Sequence, residues 1–129
     1  AAENVRSTYD HSPLHLLTTA SLRQFSALRP ESRFVPARFR PNLVIDTGET
    51  CGFLEQGWLE RRFRIGEAEI AVTDHCKRCV MTTLPQGDLS MDPGVLHTVT
   101  MRNNTRAGIY AAVTRPGRVR VGDPVHALA

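Results

Sequence analysis

Short β-rich runs broken by Gly and Pro every few residues constrain this chain more than any other feature. Residues 107–113 read AGIYAAV; the turn RPG, the run RVRV, the turn GDP and the run VHAL follow. β-branched and aromatic residues suit a pleated surface, while Gly and Pro set the φ angles of tight turns, so this tail reads as three short strands in a meander or barrel. Upstream, FRIG (63–66) and AEIAVTD (68–74) give two more. In the second, Ala68, Ile70 and Val72 alternate with Glu69, Ala71 and Thr73. Period-two alternation buries one face and wets the other, as in an antiparallel sheet or barrel. LVID (43–46) and the apolar SPLHLL (12–17) bring the count to six or seven strands.

Helical signals are fewer. From Thr18, TTASLRQFSALRP reads as a short helix: a Thr hydroxyl caps it, Leu22, Phe25 and Leu28 recur at helical spacing, and Pro30 stops it. Residues 31–38, with Pro36, read as a loop, and GETCGFLEQGW (48–58) reads as another whose single Trp58 anchors the core. After the polar insert DLSMDPG comes VLHTVTMRNN. Its β-branched residues argue for a strand, whereas Asp92 and Pro93 before it suit a helix start, and periodicity does not separate the two. The class expected is mostly β with minor α: one domain over 1–129, core about 13–128, with one or two short helices around a closed or half-closed barrel.

Apolar content of 41% and charged content of 22% are those of an ordinary globular chain. No apolar run reaches the roughly 18 residues of a membrane span, and the polar start AAENVRSTYD is not a signal peptide. The absent initiator Met suggests a processed chain or a piece of a longer one. Three cysteines cannot all pair internally, which points to a reducing, cytoplasmic setting. All but one of the 16 basic side chains are Arg, the exception being Lys77. Arg forks suit carboxylate or phosphate. They are scattered rather than gathered in a run, and aromatics make up only 6% of the chain, so a nucleic-acid surface is not indicated.

The chemistry concentrates in IAVTDHCKRCVMTTLPQG (70–87). It holds the pair Cys76 and Cys79, the flanking His75, the cations Lys77 and Arg78, and the hydroxyls Thr82 and Thr83. Neighbouring cations favour the thiolate that acts as nucleophile or metal ligand. A structural zinc site needs four ligands, and only Cys51, His75 and His97 stand by at irregular spacing. A thioredoxin-type pair opens a helix after a strand, whereas Pro85 follows closely here. Two half-buried structural cysteines remain the plain alternative, with Cys51 a small buried hydrophobe. A second group shifts the balance. RFRPN sets Arg38, Arg40 and Asn42 at alternate positions before a strand, where all three would share one face. Their fork and amide chemistry suits a ligand with a phosphate and a heterocycle. Thr18, Thr19 and Ser21 at a helix start would suit an anion as well.

The ordered set LLTTASL, RFRPNLVID, FLEQGW, RIGEAEIAV, HCKRCVMTTL, GIY and VRVGDPV, running from about Pro13 to Leu128, resembles the MOSC domain of molybdenum-cofactor sulfurases and amidoxime-reducing components. The resemblance implies a β-barrel-centred fold that binds a pyranopterin molybdenum cofactor (molybdopterin). It implies that Cys79 is the thiolate ligand of the metal. By position it carries Thr18, Thr19, Ser21, Arg40, Asn42, Arg78, Thr82, Thr83 and Arg102 to the cofactor site. It makes VLHTVTMR helical, against the local strand reading, and extends the expectation to pyridoxal phosphate binding. Three functions follow as expectations. One is a reductase of N-oxygenated or N-hydroxylated substrates fed by an iron–sulfur or flavin electron donor, and another is a sulfur or cofactor carrier that serves a receiving enzyme. The third is a sensor of small anions. A separate N-terminal MOSC-associated domain is an expected partner; nucleic acid and membrane are not.

Overall fold

The computed structural model describes residues 2–5 and 14–128. Ser12 and Pro13, which open the apolar segment before the first helix, lie outside the described residues. Eight strands occur in chain order: β1 (Ala2–Val5), β2 (Leu14–Thr18), β3 (Leu43–Ile45), β4 (Arg62–Ile65), β5 (Ala68–Lys77), β6 (Arg106–Arg115), β7 (Gly117–Arg120) and β8 (Val125–Ala127). Three α-helices, α1 (Thr19–Leu28), α2 (Pro36–Phe39) and α3 (Pro93–Asn103), and two 3-10 turns, Leu54–Trp58 and Val80–Thr83, complete the described chain. The expected class, mostly β around a half-closed barrel, is the one observed.

Six strands form one curled sheet in the order β3-β2-β6-β5-β4-β8, while β1 and β7 form a separate pair. Among the described strands only β2 and β3 run parallel; the other pairings are antiparallel. The sequence alternation in β5 works as expected: Ala68, Ile70 and Val72 are buried and join Leu16, Phe63, Ile65, Ile109, Ala111 and Val119 in the barrel core. A second core packs α1 and α3 on the sheet through Leu17, Leu22, Phe25, Phe34, Phe39, Val95, Val99 and Ala107.

Several expectations are corrected. The three tail strands exist, yet they do not form a meander: β6 lies between β2 and β5, β7 pairs with β1, and β8 pairs with β4. Strand partners depend on long-range burial that turn residues do not encode. The 31–38 loop gives way to α2, because Pro36 occupies the first helical position, where its missing N–H costs nothing. Between the strand and helix readings of VLHTVTMR, α3 bears out the helix that the resemblance implied and overturns the local strand reading. Asp92 caps it by accepting from Gly94 N, Pro93 follows, and burial of Gly94, Val95, Thr98 and Val99 has helical spacing. The helices therefore number three rather than one or two. The 48–58 loop carries the 3-10 turn Leu54–Trp58, and Trp58 is half-buried, packing on the barrel core beside Phe63. α1 is as expected, with the Thr18 hydroxyl accepting from Ser21 N.

Gly108 lets β6 serve both cores. With φ at 87°, it separates Ala107, which joins the helix-covered core, from Ile109, which joins the barrel core. A Cβ there would stand 2.5 Å from His15 Nε2 and 2.7 Å from Leu16 O. Gly108→Ala should therefore lower the unfolding free energy by about 2–4 kcal/mol. Gly57→Ala, where an added Cβ meets nothing within 4 Å, should change it by less than about 0.5 kcal/mol. Urea unfolding of both variants checks this, and equal effects would refute the role given to Gly108.

Candidate functional site

The candidate site begins where β5 ends. Register shifts between Val72 and Asp74 and between His75 and Lys77 break the simple alternation. Bulges of this kind re-aim side chains near functional sites. Cys76 is buried in β5, apart from both core clusters. Arg78 Nη1 donates to its sulfur at 3.2 Å. Tyr110 is held above the ordinary phenol range, first by its hydrogen bond to Cys76 and then by burial.

Cys79 lies past the strand, exposed, in extended backbone at the start of the 3-10 turn Val80–Thr83. The two cysteines are thus in different settings. Cys51 is exposed as well, not the buried hydrophobe expected, because it sits on the surface loop before Leu54–Trp58.

Arg78 fixes the loop. Its backbone N donates to Thr105 O just beyond α3, its Nη2 donates to Phe39 O in α2, and its guanidinium lies over the Phe39 ring. Burial lowers its pKa, while the charges of Cys76, Tyr110 and Cys79 oppose that shift. The guanidinium thus hydrogen-bonds the Cys76 sulfur and lies within electrostatic reach of Cys79. Thr82 is buried and its hydroxyl donates to Cys79 O at 3.0 Å; Thr83 is buried too, and its carbonyl accepts from Asp92 N before α3. Arg102 is exposed in the last turn of α3.

The RFRPN residues meet this loop by a route other than alternation. Arg38 is buried in α2 and donates to Leu84 O, and Arg40 caps α2 with φ at 51° while its Nε donates to Gln86 Oε1 at 3.0 Å. A helix and a left-handed residue replace the extended chain that one shared face required. Asn42 instead extends the β2–β3 pairing, its Oδ1 accepting from His15 N at 2.7 Å.

Thr18, Thr19 and Ser21 gather elsewhere. Glu55 is fully buried, and its carboxylate accepts from Thr18 N, from the Thr18 hydroxyl and from the Ser21 hydroxyl. Thr19 pairs with Thr47, whose own N donates to the Thr19 hydroxyl. Sequence reasoning quoted Glu55 only as part of FLEQGW. A lone acid between Leu54 and Trp58 was the signal available, since buried carboxylates need hydrogen-bond partners.

Tyr110, Phe39, Gln86 and His15 were quoted only within GIY, RFRPN, the 70–87 segment and SPLHLL, with no role of their own. All six buried side-chain atoms that lack a hydrogen-bond partner among the described residues are nitrogens. They are His15 Nε2, Arg38 Nε, His75 Nδ1, Arg78 Nε, Gln86 Nε2 and Arg106 Nε. Each belongs to the 75–86 segment or to an element bordering it. Burial, with help from Arg78, pushes the His15 imidazole down to about 4, so this ring is neutral at physiological pH. Buried groups are normally paired. Unpaired nitrogens, three of the six on arginines, in and around the segment that carries an exposed thiol are chemistry suited to an anionic ligand rich in acceptors, including a phosphate-bearing pterin.

Such a half-barrel with a thiol-bearing loop defines a class of domain, and comparison with known proteins gives its family. The model of the MOSC domain matches residues 3–126, and the chain belongs to that family. Mouse (Mus musculus) mitochondrial amidoxime-reducing component 1 is 35% identical over 92% of this chain and 37% of its own length. Human (Homo sapiens) mitochondrial amidoxime reducing component 2 is 31% identical over 98% of the chain and 40% of its own length. The molybdenum cofactor sulfurase of Drosophila grimshawi is 35% identical over 88% of the chain and 15% of its own length. The chain thus spans two fifths or less of these relatives.

Among solved structures, that of a hypothetical protein superposes with a TM-score of 0.73 at 20% identity, covering 100% of this chain and 61% of the other. YiiM from Geobacillus stearothermophilus gives 0.67 at 13% identity, covering 90% and 54%. These two likenesses establish the fold alone. No described helix is long and apolar enough to cross a membrane. The cytoplasm expected from the cysteines is not the compartment in the names of the amidoxime-reducing relatives, which are mitochondrial. Pyridoxal phosphate finds no support: its usual Schiff-base partner is lysine, and the single Lys77 is exposed at the end of β5.

Two expectations follow from this geometry. Glu55→Ala leaves the Thr18 amide and two hydroxyls unpaired in a buried spot, so unfolding free energy should fall by about 3–5 kcal/mol. Thermal and urea melts check it, and a loss under about 1 kcal/mol would remove Glu55 from its locking role. His15 has a folded value of about 4 against an ordinary value near 6.5. Above about pH 6.5 both states are neutral; below it the unfolded chain takes the proton first. Stability should fall by about 2–3 kcal/mol as pH drops from about 6.5 to 4. His15→Gln should flatten that slope in urea titrations, and an unchanged slope would assign it to other groups.

Proposed function

We propose that this domain holds a pyranopterin molybdenum cofactor with Cys79 as thiolate ligand, and that it supports reduction of N-oxygenated or N-hydroxylated substrates. The observation that carries the proposal is the exposed Cys79 thiol next to Arg78, in a segment that also holds the unpaired buried nitrogens of His75, Arg78 and Gln86. A soft thiolate suits a thiophilic metal. When bound, the cofactor supplies two-electron redox chemistry that the side chains lack.

The chain's own residues bind and orient. Arg78 keeps positive charge beside the sulfur. Arg40 spends its Nε on Gln86 and offers the rest of its fork to a phosphate, and Asn42, its Oδ1 taken by His15 N, offers its amide NH2. Thr82 holds the Cys79 carbonyl and thereby the turn that presents the thiol. Thr83 and Arg102 are added to the same site, while Thr18 and Ser21 act through Glu55, and Thr19 through Thr47, to fix the start of α1. Electrons come from an iron–sulfur or flavin partner protein, and a separate N-terminal domain adds to the cofactor enclosure.

The exposure of Cys79 also favours a second reading, since a thiol open to solvent can carry persulfide sulfur or pass cofactor to a receiving enzyme. Protein produced in a host that makes molybdenum cofactor distinguishes the two. Cys79→Ser should lower bound molybdenum and pterin at least about tenfold, while Cys76→Ser retains them. Equal retention in both variants would discard Cys79 as ligand, and a labile persulfide on Cys79 without molybdenum would favour the carrier.

A further inference from the structure

We infer a second binding site, away from the Cys79 loop, in the open seam of the half-barrel, with a long-chain carboxylate as its ligand class. Among the described strands β3 and β8 are the two edges of the six-stranded sheet, and both line one cavity of about 1170 Å3. Its apolar wall is built by Leu43, Ile45, Trp58, Phe63, Val119 and Val125. These residues belong to the barrel core or pack against it, so the core is uncovered along the seam. Ligand cavities commonly measure about 300–1,000 Å3 and are mostly apolar with a few polar groups at fixed places. This one has room for an alkyl chain, and each buried CH2 contributes about 0.8 kcal/mol.

The charged groups at the cavity select the head. Asp46 and Asp123 are turned onto their own turns: Asp46 Oδ1 accepts from Gly48 N, and Asp123 Oδ2 accepts from Arg120 N. Arg61 and Arg120 have no ion pair among the described residues. The Arg61 guanidinium lies 5.7 Å from the Phe63 ring centroid, and Arg120 is engaged only through its backbone. The two aspartates keep their charge on backbone amides, whereas the Arg61 and Arg120 forks have no carboxylate partner among the described residues, and a carboxylate matches an arginine fork. Cys79 and Arg78 do not line the cavity; Asn42, at one end, is the one residue shared with the proposed cofactor site.

Trp58, the only Trp of the chain, lines the cavity and reports on it. Titration with decanoate should change Trp58 emission saturably, with decanol binding at least about tenfold more weakly, the factor that about 1.4 kcal/mol represents. The double variant Arg61→Gln, Arg120→Gln should bring decanoate to the level of decanol, and Val125→Phe should weaken both, with circular dichroism confirming the fold of each. Equal binding of the two amphiphiles, or no effect of the arginine changes, would overturn the head-group assignment. No saturable response to either overturns the site, and is the result expected if polypeptide rather than a small amphiphile closes the seam.

Discussion

The Arg78 side chain carries the geometry around which the candidate site is arranged. It leaves the end of β5, and its backbone and guanidinium together reach Thr105 beyond α3, Phe39 in α2 and the sulfur of Cys76. A buried cation is costly unless its donors are answered, and here the Phe39 carbonyl, the Phe39 ring and the Cys76 sulfur answer all of the guanidinium but Nε. With the loop pinned on both sides, the next cysteine is displayed rather than packed. The same residue type on a free loop would be one more solvated arginine.

The sheet makes that placement possible by having two working faces. The barrel core draws on β2, β4, β5, β6 and β7, while the opposite face carries the helices and the Cys79 loop. Gly108 and the register shifts in β5 are the points at which side chains change allegiance between faces. Glu55 performs a comparable service at the start of α1, where one carboxylate holds a helix cap, a neighbouring hydroxyl and a 3-10 turn together.

Much of the fold was legible because it rests on local physics. Alternation in Ala68, Ile70 and Val72, the Thr18 cap and the Pro30 stop each act within a few residues. VLHTVTMR was not legible in this way: β-branched residues favoured a strand, and the Asp92 cap with Pro93 prevailed once packing rewarded a helical face. RFRPN misled for a related reason. Alternate positions share a face only in extended chain, and Pro36 began a helix that ended in a left-handed Arg40.

The sequence by itself determined seven of the eight described strands, all but β1, together with α1, the thiol-and-cation segment and the ordered motifs that mark a MOSC domain. Each is written in neighbouring residues. Tertiary structure alone decided that the tail strands disperse to three different partners, that Cys76 is buried while Cys79 is exposed, and that Glu55 claims the hydroxyls of Thr18 and Ser21. It also decided that buried nitrogens on β2, α2, β6 and the 75–86 segment are left without partners among the described residues. Such outcomes depend on which distant groups must share the same desolvated space, and a linear pattern carries no record of that competition.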